Sequence, residues 1–214
     1  LYTVGGYSNG IYYSDVRSYD TEKKVWRTEG NINTRRGRAG IVTDERYIYI
    51  IGGRNSDGYV NTVEVFDTAT GKVSQTFDLP EPMMDVQSFI SGGTLYIVGG
   101  TTYNGYSRNV YARVDDMWKP KATMPYESEY IRGKGYNNDF VCAAVNKKGN
   151  VDILKYVTDT KSWKIITSNY INDLIYYGFD IMDNHIYLTG GYSYDSREVS
   201  DKTYSYDILT DIAN

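Results

Sequence analysis

The sequence holds one cysteine, Cys142, and one histidine, His185. One thiol excludes an internal disulfide framework. A zinc site wants three or four nitrogen or sulfur ligands and a copper site at least two imidazoles, so no metal or other cofactor is expected. The same scarcity leaves no histidine to activate a serine or cysteine nucleophile. No Asn-x-Ser/Thr acceptor occurs, so nothing marks the chain as secreted. No apolar run approaches the ~18 residues of a membrane span. Lys plus Arg total 23 against 27 Asp plus Glu, a net charge of −4, and that balance lacks the basic footprint of non-specific nucleic-acid binding. Phenylalanine is scarce at 5 residues, whereas tyrosine is abundant at 24. Many half-buried sheet positions, apolar in body and wet at the tip, account for that bias. The aromatic content also rules out disorder. The chain starts at Leu1, so a targeting signal upstream would not be seen. The missing disulfides and glycosylation acceptors lead to an expectation of a cytoplasmic protein.

What is present is a repeat. Leu1-Tyr2-Thr3-Val4-Gly5-Gly6 returns as Ile48-Tyr49-Ile50-Ile51-Gly52-Gly53, as Leu95-Tyr96-Ile97-Val98-Gly99-Gly100 and as Ile186-Tyr187-Leu188-Thr189-Gly190-Gly191. The first glycines fall at 5, 52, 99 and 190, so the steps are 47, 47 and 91 residues. A degenerate copy fits in the long step, at Phe140-Val141-Cys142-Ala143-Ala144. A second register agrees: Tyr19, Phe66, Tyr111, Tyr156 and Tyr206 are followed seven residues later by Trp26, Val73, Trp118, Trp163 and Ala213. The units are expected at about 1–33, 34–80, 81–126, 127–170 and 171–214 of a single domain, each with up to four short strands, a to d. Strand a is expected at 39–43 and 86–90, strand b at 47–51 and 94–98, and residues 7–13 as a polar, aromatic loop.

A Gly-Gly pair, an aromatic and a Trp in each unit of this length resemble kelch repeats. The resemblance covers the whole chain. It implies an all-β fold, a kelch-type β-propeller of four-stranded antiparallel blades. Five repeats are visible. The first lacks strand a and the last most of strand d, so the chain is expected to be incomplete at both ends and part of a six-bladed ring, which at ~47 residues per blade needs ~280 residues.

Catalysis finds little footing. Asp115-Asp116 reads as a solvated turn, Cys142 as a small core residue and His185 as a turn residue. Glu127 and Glu129 are neighbours in one loop, a poor source of the two facing carboxylates of a glycosidase. Some kelch-type propellers are copper radical oxidases, and the imidazoles for that chemistry are missing. The chain is therefore expected not to be an enzyme, with no catalytic and no metal residues.

Recognition remains. The b–c and d–a loops of a propeller carry its contacts, and the resemblance to BTB-kelch (Kelch-like) proteins implies a partner peptide bound there. In that family an Arg often starts strand a. Arg36-Gly37-Arg38-Ala39-Gly40 and Arg132-Gly133-Lys134-Gly135 match it, and Arg36 and Arg132 are the ligand-facing candidates. Units three and five depart, the latter with Ile175-Tyr176-Tyr177-Gly178. Loop positions Arg38, Arg54, Asn55, Tyr59, Tyr103, Asn104, Arg108, Tyr176, Tyr177, Tyr192 and Arg197 complete the partner-binding candidates. Tyr, Arg and Asn are interface-forming types. Arginine recurs in these loops, at 35, 36, 38, 54, 108, 132 and 197. An acidic protein partner is expected, held by bidentate Arg–carboxylate pairs.

The resemblance implies a substrate-recognition propeller of a BTB-kelch adaptor, with a cullin-based ubiquitin ligase reached through a region outside this chain. A second reading is an actin-binding, cytoskeleton-associated kelch protein, in which Lys23-Lys24 and Lys147-Lys148 matter more. A carbohydrate-active propeller enzyme is the third.

Overall fold

The computed structural model describes residues 1–211. Ala213, the last position of the Trp column, lies outside them. The described chain is all β apart from one short 3-10 turn, Ile208–Asp211. No helix in it is long and apolar enough to cross a membrane.

Each repeat makes one antiparallel sheet. The first holds β1 (Tyr2–Ser8), β2 (Ile11–Asp20) and β3 (Val25–Asn31), in that order. In the second, β4 (Gly40–Asp44), β5 (Tyr47–Ile51), β8 (Thr62–Asp67) and β9 (Lys72–Asp78) form the sheet. The two-residue strands β6 (Arg54–Asn55) and β7 (Gly58–Tyr59) pair within its b–c connection. The third runs β10 (Gln87–Ser91), β11 (Thr94–Val98), β14 (Asn109–Val114), β15 (Met117–Thr123), with β12 (Thr101–Thr102) and β13 (Gly105–Tyr106) between the second and third of these. The fourth is β16 (Ile131–Tyr136), β17 (Asp139–Val145), β18 (Val151–Val157) and β19 (Ser162–Ile171). The fifth is β20 (Gly178–Met182), β21 (His185–Thr189) and β22 (Thr203–Asp207). These are the blades of a kelch-type β-propeller. Pro120 falls in β15, the outermost strand of its sheet, the position where a residue without an N–H is tolerated.

The seven-residue register is a hairpin register. Tyr19 faces Trp26, Phe66 faces Val73 and Tyr156 faces Trp163 as cross-strand partners. The ring centroids lie 5.0 Å apart in the first pair and 5.5 Å in the third. Such aromatic pairs each add about 0.5–1.5 kcal/mol beyond their buried area.

In the second, third and fifth repeats the Gly-Gly pair follows strand b with positive φ at both residues, as at Gly52 (φ +59) and Gly53 (φ +107), whereas Gly5 and Gly6 lie at a register shift inside β1. A Cβ on Gly52 would lie 2.4 Å from the Met83 carbonyl oxygen, so only glycine allows that approach. The fourth repeat has no such break. Ala143 and Ala144 stay in β17, fully buried, and pairing with β18 runs on to Val145↔Val151. The strand closes directly through a short turn over 146–150, which is why this repeat has no long b–c loop.

One expectation is corrected. Residues 7–13 are not a loop: β1 and β2 continue through them, with Tyr7↔Tyr12 and Ser8↔Ile11 paired. Asn9 (φ 50) and Gly10 (φ 82) make the two-residue turn, and positive φ at both central positions matches the right-handed twist of the strands.

The contacts divide the chain into two compact units. One comprises Leu1–Val86, Gly100–Gly105 and Val114–Trp118, and the other Gln87–Gly99, Tyr106–Arg113 and residues from Lys119 onwards. In the first, Val16, Ile32, Ile48, Ile50 and Phe66 form a buried cluster. In the second, Phe89, Phe140, Leu154 and Tyr156 form one cluster, and Val141, Ile153, Tyr177 and Leu188 belong to another. Within each unit, neighbouring sheets meet through equivalent positions one period apart. The Ser91 hydroxyl donates to the Asn138 carbonyl and the Tyr130 hydroxyl to the Tyr177 carbonyl, both 47 residues on.

Candidate functional site

Arg36 is not ligand-facing. Its side chain is 1% exposed and pairs with Glu64, also 1% exposed. It donates further to the carbonyls of Thr34 (3.1 Å), Gly52 (2.9 Å) and Thr62 (2.8 Å) and to the Thr62 hydroxyl (2.7 Å). Glu64 also accepts from the backbone N–H groups of Asn33 (2.6 Å) and Thr34 (3.0 Å). Burial pushes the Arg36 guanidinium below its ordinary value, and the Glu64 carboxylate opposes that shift. The period explains the misplacement. Positions 36, 83, 130 and 177 are 47 apart and hold Arg36, Met83, Tyr130 and Tyr177, all buried. Arg132 lies 94 residues, two periods, after Arg38, so Arg38 and not Arg36 is its counterpart. Tyr177 is corrected for the same reason: at 1% exposure, 4.9 Å from the Tyr130 ring, it is a core residue.

In the first unit an open cavity of about 510 Å³ lies between residues 10–12, 33–35 and 55–57. Arg35 lines it, and Arg54 immediately precedes its third wall. Both arginines are exposed, and among the described residues neither side chain meets a hydrogen-bond or ion-pair partner. The backbone of Arg54 is fixed by two hydrogen bonds with Gly37, at 2.8 and 2.9 Å. The Asn55 side chain accepts the Asp57 N–H at 2.9 Å, an Asx turn that shapes the wall. Arg38 is exposed but engaged, with its Nε 2.9 Å from Asp85 Oδ1 in a bidentate pair. Tyr59 and Tyr103 stack at 4.4 Å, and the Tyr103 hydroxyl accepts the Tyr59 N–H at 2.8 Å. A Cβ on Gly58 would lie 2.2 Å from that hydroxyl. Asn104 is exposed, its N–H donating to the Thr102 hydroxyl at 3.1 Å.

In the second unit Arg108 is a clamp, donating to the carbonyls of Met124 and Pro125. Arg132 lies over the Tyr130 ring at 4.3 Å and donates to the Ile131 carbonyl. Tyr176 is 63% exposed with φ 56, and its ring stands edge-on to Tyr130 at 5.4 Å. Tyr192 is half-buried, exchanges two backbone hydrogen bonds with Ile175, and meets the Tyr194 ring at 5.7 Å and 89°. Arg197 is exposed with φ 57.

Sequence reading missed Glu64, a carboxylate inside a strand, and Tyr130, whose column mixes Arg, Met and Tyr. The 47-residue column through 36, 83, 130 and 177 was the available signal. Cys142 is fully buried, and desolvation pushes its thiol up, out of reach of nucleophilic chemistry. The His185 ring meets the Asp183 carbonyl at 2.9 Å.

The kelch motif profile matches residues 35–75. The chain carries a kelch motif within a kelch-type β-propeller fold. Kelch repeat protein C2 of vaccinia virus (strain Western Reserve) is 24% identical over 168 residues, 76% of this chain and 33% of the relative. Kelch repeat and BTB domain-containing protein 1 of horsepox virus is 26% identical over 223 residues, 95% of this chain and 38% of the relative. Kelch-like protein 40 of Xenopus tropicalis is 28% identical over 122 residues, 56% and 20%. The chain thus spans about a third of the length of the first of these curated relatives. As a kelch-repeat propeller it is of the protein-interaction type.

Proposed function

We propose that this kelch-repeat chain is the partner-recognition propeller of a BTB-kelch adaptor for a cullin-based ubiquitin ligase, working in the cytoplasm, and that it binds a carboxylate-rich segment of its protein partner. The observation that carries the binding reading is the open cavity lined by Arg35, with the exposed Arg54 next in sequence to its wall residue Asn55. Two exposed guanidinium groups, without a side-chain partner among the described residues, offer the planar donor fork that carboxylates take bidentately. Asp57, on the third wall, then faces a donor of the bound segment and sets its direction. The adaptor reading is supported by a relative named for kelch repeats and a BTB domain that aligns with 95% of this chain. The BTB domain of that name is not part of these 214 residues.

The test is a native affinity purification of the full-length protein, blotted for cullin and for actin. Cullin in the eluate, lost when the BTB region is deleted, is the expected result. Actin without cullin replaces the adaptor reading with a cytoskeletal one.

A further inference from the structure

The second unit gathers tyrosines that the acidic-partner reading leaves unused. Tyr106, Tyr176 and Tyr194 are 43%, 63% and 52% exposed and come from three different connections. They converge: Tyr176 follows Ile175, which exchanges two backbone hydrogen bonds with Tyr192 at 2.7 and 3.0 Å, two residues before Tyr194, and Tyr194 lies within electrostatic reach of Tyr176, Tyr106 and the Glu129 carboxylate. The cluster is held rigidly. Asp173 accepts the Ser193 hydroxyl and the N–H groups of Tyr194 (3.1 Å) and Asp195 (2.8 Å), pinning the loop that carries Tyr194. Tyr176 sits at φ 56, a left-handed conformation unusual for a bulky residue, and this points its ring outward. Arg132 completes the surface from β16, its guanidinium 4.3 Å over the Tyr130 ring.

We propose that Tyr106, Tyr176 and Tyr194, with Arg132 and Glu129, form a docking surface for a proline-rich segment in polyproline II conformation that carries a basic residue. Proline offers carbonyl acceptors and no N–H, so its complement is a surface of aromatic faces and hydrogen-bond donors. Tyrosine hydroxyls and the Arg132 guanidinium supply the donors. The preformed polyproline II helix loses little entropy on docking, and rigid tyrosines add little more. Glu129, exposed beside the cluster, pairs with the basic residue and sets the orientation of the segment. The proposal rests on the chain being an interaction module, but not on the arginine-bordered cavity of the other unit.

The experiment is a fluorescence-anisotropy titration of the whole chain with a labelled peptide, an arginine followed by a run of prolines. Saturable binding is expected, weakened about tenfold or more by Tyr176→Ala and by Tyr194→Ala. Arg35→Glu with Arg54→Glu should leave it unchanged. Replacing the peptide arginine with glutamate should weaken binding to the native chain but not to Glu129→Gln. Tyr194→Phe, which removes only a hydroxyl from an exposed ring, keeps the test readable if an alanine variant fails to fold. Absence of saturable binding overturns the proposal. So does binding indifferent to Tyr176 and Tyr194, or displacement of the peptide by a trimethyllysine peptide or an oligosaccharide. An acidic peptide titrated in parallel separates this failure from that of the arginine-bordered cavity.

Discussion

Arg36 and Glu64 form an ion pair in which both side chains are 1% exposed. Every carbonyl that Arg36 reaches belongs to the second repeat, so the pair ties residues 33–36 to Gly52 and to β8. Removing one partner leaves the other charge buried and alone. Arg36→Ala or Glu64→Ala should therefore cost about 3–5 kcal/mol in urea denaturation. Replacing both together with apolar residues should cost much less than the sum of the single changes. Additive losses in the double variant would mean that the two groups act independently.

Two glycine substitutions separate steric from conformational cost. Gly52→Ala places a Cβ 2.4 Å from the Met83 carbonyl at φ +59, while Gly92→Ala, at φ +53, meets nothing within 4 Å. The second should lose about 1 kcal/mol from backbone strain alone. The first should lose clearly more, with a larger drop in Tm. Equal losses would contradict the close approach that the Gly-Gly break creates.

The loop carrying Tyr194 should respond to acid. Hydrogen bonds from the Ser193 hydroxyl and from the Asp195 and Tyr194 N–H groups hold the Asp173 carboxyl below its ordinary value, against some desolvation. A carboxyl with its folded pKa below the unfolded one contributes stability above the unfolded value, about 3.9. That contribution is lost as pH falls through the folded pKa. The Tyr194 amide resonance should therefore move below about pH 4 and not between pH 5 and 8. Asp173→Asn should remove the transition, and an unchanged titration in that variant would assign it to another group.

The parts of the fold that repeat were legible, and those that do not were not. Tyr19 with Trp26 and Tyr156 with Trp163 sit at a fixed spacing because each pair is one rung of a hairpin. Residues 7–13 have the polar, aromatic composition of a loop, and only the pairing of Tyr7 with Tyr12 across β1 and β2 makes Asn9-Gly10 a hairpin turn. The site was harder to read. Residue type made Arg36 resemble Arg132, but their separation of 96 is not a multiple of 47, and that two-residue offset separates a buried column from one that is exposed at Arg38 and half-buried at Asp85, Arg132 and Phe179. Glu64 lies within the alternating run of β8, and no local pattern told that its charge would be buried against Arg36. Tyr176 and Tyr177 are adjacent, but one is 63% exposed and the other 1%. Only the backbone at φ 56 decides which faces out.

The most direct test of the binding account is calorimetric titration of the chain with a glutamate- and aspartate-rich peptide, in the native form and with Arg35→Ala plus Arg54→Ala. Both side chains are exposed, so the fold should survive the change. The expected result is saturable binding that weakens with salt and falls about tenfold or more in the double variant. Unchanged affinity in that variant, or no binding to the native chain, would contradict recognition of a carboxylate-rich partner by these arginines.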